Sequence, residues 1–139
     1  MRNFARFGLA SIATLAAVLM QSTAPAAAQY AEEELAGELT ASDTVLEFDG
    51  SFYDTYDIQG RAGETVEIYM NSAEFDTYLL LADPTGEAIA QNDDADDGSG
   101  TTNSALVFTF PTDGTYQILF NSFGAGATGA YEAFIYFYN

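Results

Sequence analysis

The chain has 139 residues, with 21 Asp and Glu against 3 Lys and Arg, and it contains no histidine, cysteine or lysine. These absences exclude Ser-His-Asp and Cys-His nucleophiles, His-ligated zinc, Schiff-base chemistry and disulfides. The formal charge of −18 argues against a nucleic-acid partner, because nucleic acids are bound through Lys and Arg.

The N-terminal residues predict a cleaved export signal. Arg2 and Arg6 give a positive start, residues 9–20 are apolar, and small residues precede the expected cleavage site after Ala28. The apolar run is shorter than the ~20 residues that span a bilayer, so we expect no membrane insertion after cleavage. With residues 1–28 removed, Arg61 is the only cation and the formal charge becomes −20. We therefore expect the mature chain in the periplasm or outside the cell.

The mature chain divides into a short acidic segment and one domain. Residues 29–36 carry adjacent glutamates without apolar periodicity, which predicts disorder. Residues 37–139 show short runs with a period of two and no helical pattern, which predicts an all-β domain. We expect about eight strands, near residues 37–41, 53–59, 65–72, 78–82, 87–91, 105–110, 115–122 and 130–138. Strands at this regular spacing are typical of a single, jelly-roll-like β-sandwich.

Two of these segments resemble each other, which predicts equivalent strands in a pseudo-symmetric sandwich. Residues 65–72 and 115–122 share Thr, Ile, Asn and Ser at matching positions, and each follows a turn that contains glycine. Two copies are fewer than the ~3 that a solenoid requires. The period of two then places six side chains in the core: Val66, Ile68, Met70, Tyr116, Ile118 and Phe120.

Residues 92–100 form an acidic loop, with four aspartates in nine residues. Such carboxylates repel one another unless water or a cation lies among them. Calcium prefers about 6–8 oxygen ligands of this kind, although the loop lacks the spacing of an EF-hand. The alternative is that these residues are simply solvated turn acids.

A set of ordered motifs carries a family resemblance. The motifs are FDTYLLLADPTG at 75–86, NDD at 92–94, TNS at 102–104, PTDGTY at 111–116 and SFGAGATGAY at 122–131. In this order they resemble the bacterial pre-peptidase C-terminal domain, from about Gly37 to Phe137. The resemblance implies a small β-sandwich of the kind found mostly as a non-catalytic tail of secreted peptidases.

The same resemblance implies calcium, which some members of the family bind. The residues that match the shared motifs are Asp76, Asp83, Asn92, Asp93 and Asp94. Asp96 and Asp97 of the acidic loop complete the candidate calcium ligands. Asp76 has an alternative role, because a side chain at a strand entry can accept hydrogen bonds from local backbone N–H groups.

The last predicted strand carries a second candidate site. Its alternation places Phe134, Tyr136 and Tyr138 on the face opposite Tyr131 and Ile135, and hence outward. Adjacent exposed aromatic rings bind a sugar ring, a peptide or another subunit. The alternative is that this strand is covered on both faces.

The sequence therefore predicts a secreted, non-catalytic β-sandwich module, stabilised by calcium, that binds an extracellular polymer or a secreted protein, with self-association as a further mode. One alternative is a salt-adapted acidic structural protein without a specific ligand. The other is a carboxylate-dependent hydrolase, which would need two buried, opposed acids with raised pKa values.

Overall fold

The computed structural model describes residues 5–12, 28–94 and 102–139, and for residues 5–12 it describes the backbone alone. Ten strands form in these residues. They are β1 (Ala5–Ile12), β2 (Gln29–Leu39), β3 (Thr44–Leu46), β4 (Ser51–Gly60), β5 (Thr65–Asn71), β6 (Thr77–Ala82), β7 (Ala88–Asn92), β8 (Ser104–Thr109), β9 (Gly114–Ser122) and β10 (Gly129–Tyr138).

The strands form two five-stranded sheets that pack face to face around one core. The first sheet has the order β1-β2-β10-β5-β8, and the second has the order β3-β4-β9-β6-β7. Every neighbouring pair is antiparallel. The prediction of an all-β sandwich is confirmed. Two strands were not among the eight predicted, the three-residue β3 and the N-terminal β1.

The core lies between the sheets and contains the side chains that the period of two predicted. Within β5 and β9, buried and less buried residues alternate, so each strand contributes one row of side chains to the core. All six predicted core residues are fully buried: Val66, Ile68, Met70, Tyr116, Ile118 and Phe120. The described part of the chain contains no helix with the length and apolar character needed to cross a membrane.

Residues 29–36, for which the sequence predicted disorder, lie in strand β2, so that prediction was wrong. β2 pairs with β10 from Gln29 to Leu39, and its Leu35 and Leu39 are fully buried. The adjacent glutamates are tolerated because successive residues of a strand point to opposite faces. Glu33 is on the side that faces the second sheet, where it accepts a hydrogen bond from the Tyr56 hydroxyl. The sandwich therefore begins at residue 29 or before it, ahead of the predicted boundary at residue 37.

Strand β1 lies within residues 1–28, the predicted signal peptide, and pairs with the outer edge of β2. Cleavage after Ala28 stays a prediction. Cleavage there would leave β2 as the edge of the first sheet, still paired with β10 along its other side.

Candidate functional site

The outer face of the first sheet carries the predicted aromatic site. β10 lies between β2 and β5, so its outward side chains occupy the middle of the sheet. Tyr131, Ala133, Ile135 and Phe137 of β10 are buried in the core. The alternate residues Phe134, Tyr136 and Tyr138 are half-buried on the opposite face, and no described element forms a third layer over them.

Tyr136 lies between two glutamates. Its register partners are Glu32 on β2 and Glu67 on β5, and neighbouring strands are about 4.8 Å apart. The ring of Tyr69 meets the ring of Tyr136 edge to face, with centroids 5.9 Å apart. The Tyr69 hydroxyl donates a hydrogen bond of 2.8 Å to Oε1 of Glu67. Rings and carboxylates therefore alternate across the sheet.

The same pattern continues one row along β10. Phe134 has Glu34 as its partner on β2 and Tyr69 as its partner on β5. Glu34 is exposed. Beyond Glu67, on β8, its register partner Val107 is 65% exposed, which adds an apolar side chain to the edge of the face.

This face contains a groove of about 440 Å³. The groove is lined by Gln29, Glu67, Tyr69, Asn71, Phe134, Tyr136 and Tyr138. A second hollow of about 610 Å³ adjoins it at Asn71. Small side chains, among them Ala36, Ala73 and Ala130, line this second hollow. Together the two hollows follow β10 along much of its length.

The glutamates hold the tyrosine hydroxyls of this face in the protonated form. The hydrogen bond to Glu67, helped by burial and by the Glu67 charge, raises the pKa of Tyr69 to about 12. Burial raises the pKa of Tyr136, and the charges of Glu32, Glu34 and Glu67 raise it further. The groove is therefore negative in charge, with neutral aromatic rings between the carboxylates.

The predicted calcium ligands are separated into two places. Asp76 directly precedes β6, while Asn92, Asp93 and Asp94 end or follow β7, which is the neighbour of β6. Because the pair is antiparallel, these four residues lie at the same end of the second sheet. Burial raises the pKa of the Asp76 carboxyl, and the charges of Asp94 and Asp93 and a hydrogen bond with Asp94 raise it further. The Oδ1 atom of Asp76 is buried and has no hydrogen-bond partner among the residues that the structure describes.

Local hydrogen bonds hold this end of the sheet together. Asn92 Oδ1 accepts a hydrogen bond of 3.2 Å from the backbone N–H of Ala105. The Ser104 hydroxyl donates to the carbonyl oxygen of Asp93 at 2.6 Å and is 2.6 Å from the hydroxyl of Thr77. These bonds join the start of β6, the end of β7 and the start of β8.

Asp83 lies at the other end of β6, about 20 Å away by the length of a six-residue strand. Its Oδ1 accepts hydrogen bonds from Thr85 N, Thr85 Oγ1 and Glu87 N, and these bonds hold its pKa below the usual value. Asp96 and Asp97 are outside the described residues. Within the described residues, no group of three or more carboxylates is close enough together to hold a metal ion.

Tyr69 and the glutamates beside the predicted aromatic residues were not among the predicted site residues. Tyr69 and Glu67 were recoverable, since placing Ile68 in the core places its two neighbours outward. Glu32 and Glu34 were not, because the segment that contains them was predicted to be disordered. Their place beside β10 depends on a pairing between residues about a hundred positions apart.

Comparison with known proteins agrees with the fold. A family profile described as bacterial pre-peptidase C-terminal domain matches residues 52–122, about half of the chain. No curated protein sequence matches the chain significantly.

Two solved structures resemble the chain. PliG of Aeromonas hydrophila, a periplasmic inhibitor of g-type lysozyme, is 20% identical with a TM-score of 0.52, over 84% of this chain and 91% of that chain. The pre-peptidase C-terminal domain of collagenase from Bacillus anthracis is 15% identical with a TM-score of 0.54, over 73% of this chain and 86% of that chain. At these identities the likeness shows a shared fold.

Proposed function

Because the chain belongs to the bacterial pre-peptidase C-terminal domain family, we propose that it is an exported, non-catalytic module that binds a polymer or protein partner outside the cytoplasm. The partner occupies the outer face of the first sheet, over Phe134, Tyr136 and Tyr138. We infer this role from the surface of the molecule as well as from its fold, because fold alone does not assign a function.

The observation that carries the proposal is the aromatic groove. Its volume of about 440 Å³ is enough for one or two side chains or a sugar ring, and the adjoining hollow extends it along β10. Aromatic residues supply rigid contact area at little cost in conformational entropy, which is why binding surfaces are enriched in tyrosine. A face of this kind on a sheet without a covering layer fits an interaction surface.

Two further observations support a non-catalytic role outside the cytoplasm. The chain lacks histidine, cysteine and lysine, so Cys-His and Ser-His-Asp nucleophiles and Schiff-base lysines are absent from its sequence. By their descriptions, one structural neighbour is a periplasmic inhibitor of g-type lysozyme and the other is the pre-peptidase C-terminal domain of a collagenase. The predicted signal peptide agrees with export.

The test is a retention assay with a face variant. Phe134, Tyr136 and Tyr138 are all changed to Ser, and the exported protein is mixed with peptidoglycan, gelatin or g-type lysozyme. We expect the parent protein to be retained by at least one of these and the triple variant to lose that retention.

A matched control removes aromatic rings from the other sheet. Tyr78 and Phe123 stack with centroids 6.2 Å apart on the outer side of the second sheet, and Phe123 is 58% exposed. Changing both to Ser should leave retention intact. Equal retention of the parent and the triple variant, both folded by thermal unfolding, would overturn the proposed function.

We also propose that calcium stabilises the end of the second sheet at the pair Asp76 and Asp94, with water and backbone carbonyl groups as its remaining oxygen ligands. Asp76 Oδ1 is buried and has no hydrogen-bond partner among the described residues, which supports this proposal, because a cation would both satisfy that atom and offset the neighbouring charges. The salt-adapted alternative predicts that Ca²⁺ and Mg²⁺ act alike through screening.

A further inference from the structure

The aromatic rows of the first sheet are bordered by carboxylates on both sides. Glu32 and Glu34 of β2 border them on one side, and Glu67 of β5 borders Tyr136 on the other. At the spacing of neighbouring strands, each of these carboxylates is within reach of a cation that is placed over a ring. A cation over a tyrosine ring is attracted by the ring when it lies within about 6 Å of the centroid.

The face has no basic side chain among those that the structure describes. Arg61 is the only Lys or Arg in residues 28–94 and 102–139, and it is 3.9 Å from Glu64 in the turn before β5. It is not among the residues that line the groove. Glu34 and Glu67 therefore have no described basic side chain on the same surface that would offset their charge.

The hydrogen bonds within the face also favour a ligand that donates. The Tyr69 hydroxyl is already committed to Oε1 of Glu67 at 2.8 Å. Oε2 of Glu32 accepts a hydrogen bond of 3.2 Å from Nε2 of Gln29. A carboxylate has about four acceptor sites, so Glu67 and the exposed Glu34 can accept further hydrogen bonds. A guanidinium group offers several N–H donors together with a flat surface that stacks on aromatic rings. A sugar ring offers neither the charge nor the planar donor array.

From these observations we propose that the face binds arginine and lysine side chains of a basic, extended segment of a partner protein. The rings of Phe134, Tyr136 and Tyr69 contact the cationic side chains, and Glu34 and Glu67 pair with them. The segment runs along β10, where the two hollows meet at Asn71. This inference rests on the proposed function, and it adds the chemistry of the partner.

The experiment measures binding of synthetic peptides to the full exported chain by calorimetry. The peptides have ten residues, matching the ten residues of β10. One alternates arginine with serine, and a second carries neutral citrulline in place of each arginine. A soluble peptidoglycan fragment serves as the carbohydrate probe. We expect the arginine peptide to bind and the citrulline peptide to bind at least about tenfold more weakly.

Charge variants separate a local site from general attraction to an acidic protein. The face variant combines Glu34→Gln and Glu67→Gln. The control combines Asp57→Asn on β4 and Glu87→Gln in the turn before β7, two exposed residues, and so makes the same change in net charge. We expect the face variant to weaken arginine-peptide binding about tenfold and the control to stay within about twofold of the parent.

Three other outcomes would overturn the inference, and one of them would also overturn the proposed function. Equal weakening by both charge variants would overturn the inference, since net charge alone would explain the binding. If the carbohydrate binds and is lost in the Phe134/Tyr136/Tyr138 triple variant while the arginine peptide does not bind, the inference is overturned and the proposed function stands. If the parent and the folded triple variant bind every probe alike, both are overturned.

Discussion

The hydroxyl of Tyr131 donates a hydrogen bond of 2.7 Å to Oδ2 of Asp54, and this bond joins the two sheets through the middle of the core. Tyr131 is on β10 of the first sheet, and Asp54 is on β4 of the second. Both are buried, with exposures of 2% and 0%. The Tyr131 ring is held between Phe75 and Phe120, with centroid distances of 6.4 and 5.4 Å. A buried carboxylate is tolerated where hydrogen-bond donors reach it.

We expect Tyr131→Phe to destabilise the fold by about 1–3 kcal/mol, because Asp54 would lose a buried donor. For a domain of this size the loss corresponds to roughly 4–12 °C in melting temperature. Thermal unfolding measures it. The control is Tyr136→Phe, which removes a hydroxyl from the outer face and should change stability by less than about 0.5 kcal/mol. Equal, small effects of both substitutions would contradict a structural role for the bond between the sheets.

Gly37 gives the Tyr131 ring its space. A Cβ atom built at Gly37 would lie 2.4 Å from both the Cζ and the hydroxyl oxygen of Tyr131. Phe75, Phe120 and the hydrogen bond to Asp54 hold the ring in place, so we expect Gly37→Ala to cost about 1–3 kcal/mol of stability.

A double-mutant cycle tests the cause of this cost. In the background of Tyr131→Ala the ring is absent, and Gly37→Ala should then have little effect on the denaturant midpoint. If the substitution at Gly37 costs the same in both backgrounds, contact with the Tyr131 ring is not the reason.

The Asp76 carboxyl makes stability depend on pH. Its pKa is raised in the folded chain, first by burial and then by Asp94 and Asp93. The folded chain holds this proton more tightly, so the contribution to stability is fully present below the unfolded pKa near 3.8 and is lost as pH rises through the folded pKa. We therefore expect Asp76→Asn to raise the melting temperature at pH 7 in EDTA. At about pH 3 the two proteins should unfold at nearly the same temperature.

Calcium should reverse this order. If Ca²⁺ binds at Asp76, a concentration of about 100 times its Kd adds ~2.7 kcal/mol to the stability of the parent protein. This is a rise of roughly 10 °C that Asp76→Asn should not show. Small, equal rises in melting temperature with Ca²⁺ and Mg²⁺ at matched ionic strength would contradict a calcium site. They would favour screening of the acidic surface.

We expect the Tyr69 hydroxyl to lose its proton at a higher pH than an ordinary tyrosine. Its pKa is raised to about 12, chiefly by its hydrogen bond to Glu67. The folded chain keeps this proton above the ordinary tyrosine value of 10, so the bond's contribution to stability is lost as pH rises through about 12. Ultraviolet titration of the tyrosine hydroxyls, comparing the parent with Tyr69→Phe, identifies the high-pH titration step that belongs to Tyr69. Glu67→Gln should move this step to lower pH. An unchanged step would contradict Glu67 as the partner that raises the pKa of Tyr69.

Local alternation in the sequence predicted the strands and much of the core, because the period of two is a property of each strand by itself. Val66, Ile68 and Met70 needed no partner strand to be placed inward. In the predicted strand 53–59, the period of two puts Asp54 on the same face as Ile58. The structure buries both residues. An aspartate in the core is acceptable there because Tyr131, 77 residues away, donates to it. No local pattern contains that information.

The site was predictable in part for the same reason. Phe134, Tyr136 and Tyr138 follow from the period of β10, whereas Glu32 and Glu34 lie beside them only through the pairing of β2 with β10. The adjacent glutamates of β2 led to a prediction of disorder, although successive residues of a strand point to opposite faces. The position of Asp83 was missed because a turn and an acidic loop near each other in sequence lie at opposite ends of β6.

The most direct test of the binding face is a titration of the exported, isotope-labelled protein with the arginine peptide, followed by two-dimensional NMR of the backbone amides. We expect saturable shifts concentrated on the middle of β10 and β5, around Tyr136 and Tyr69, with residues of the second sheet unchanged. Shifts concentrated at residues 92–94, or spread over both sheets in proportion to their acidic residues, would contradict this expectation.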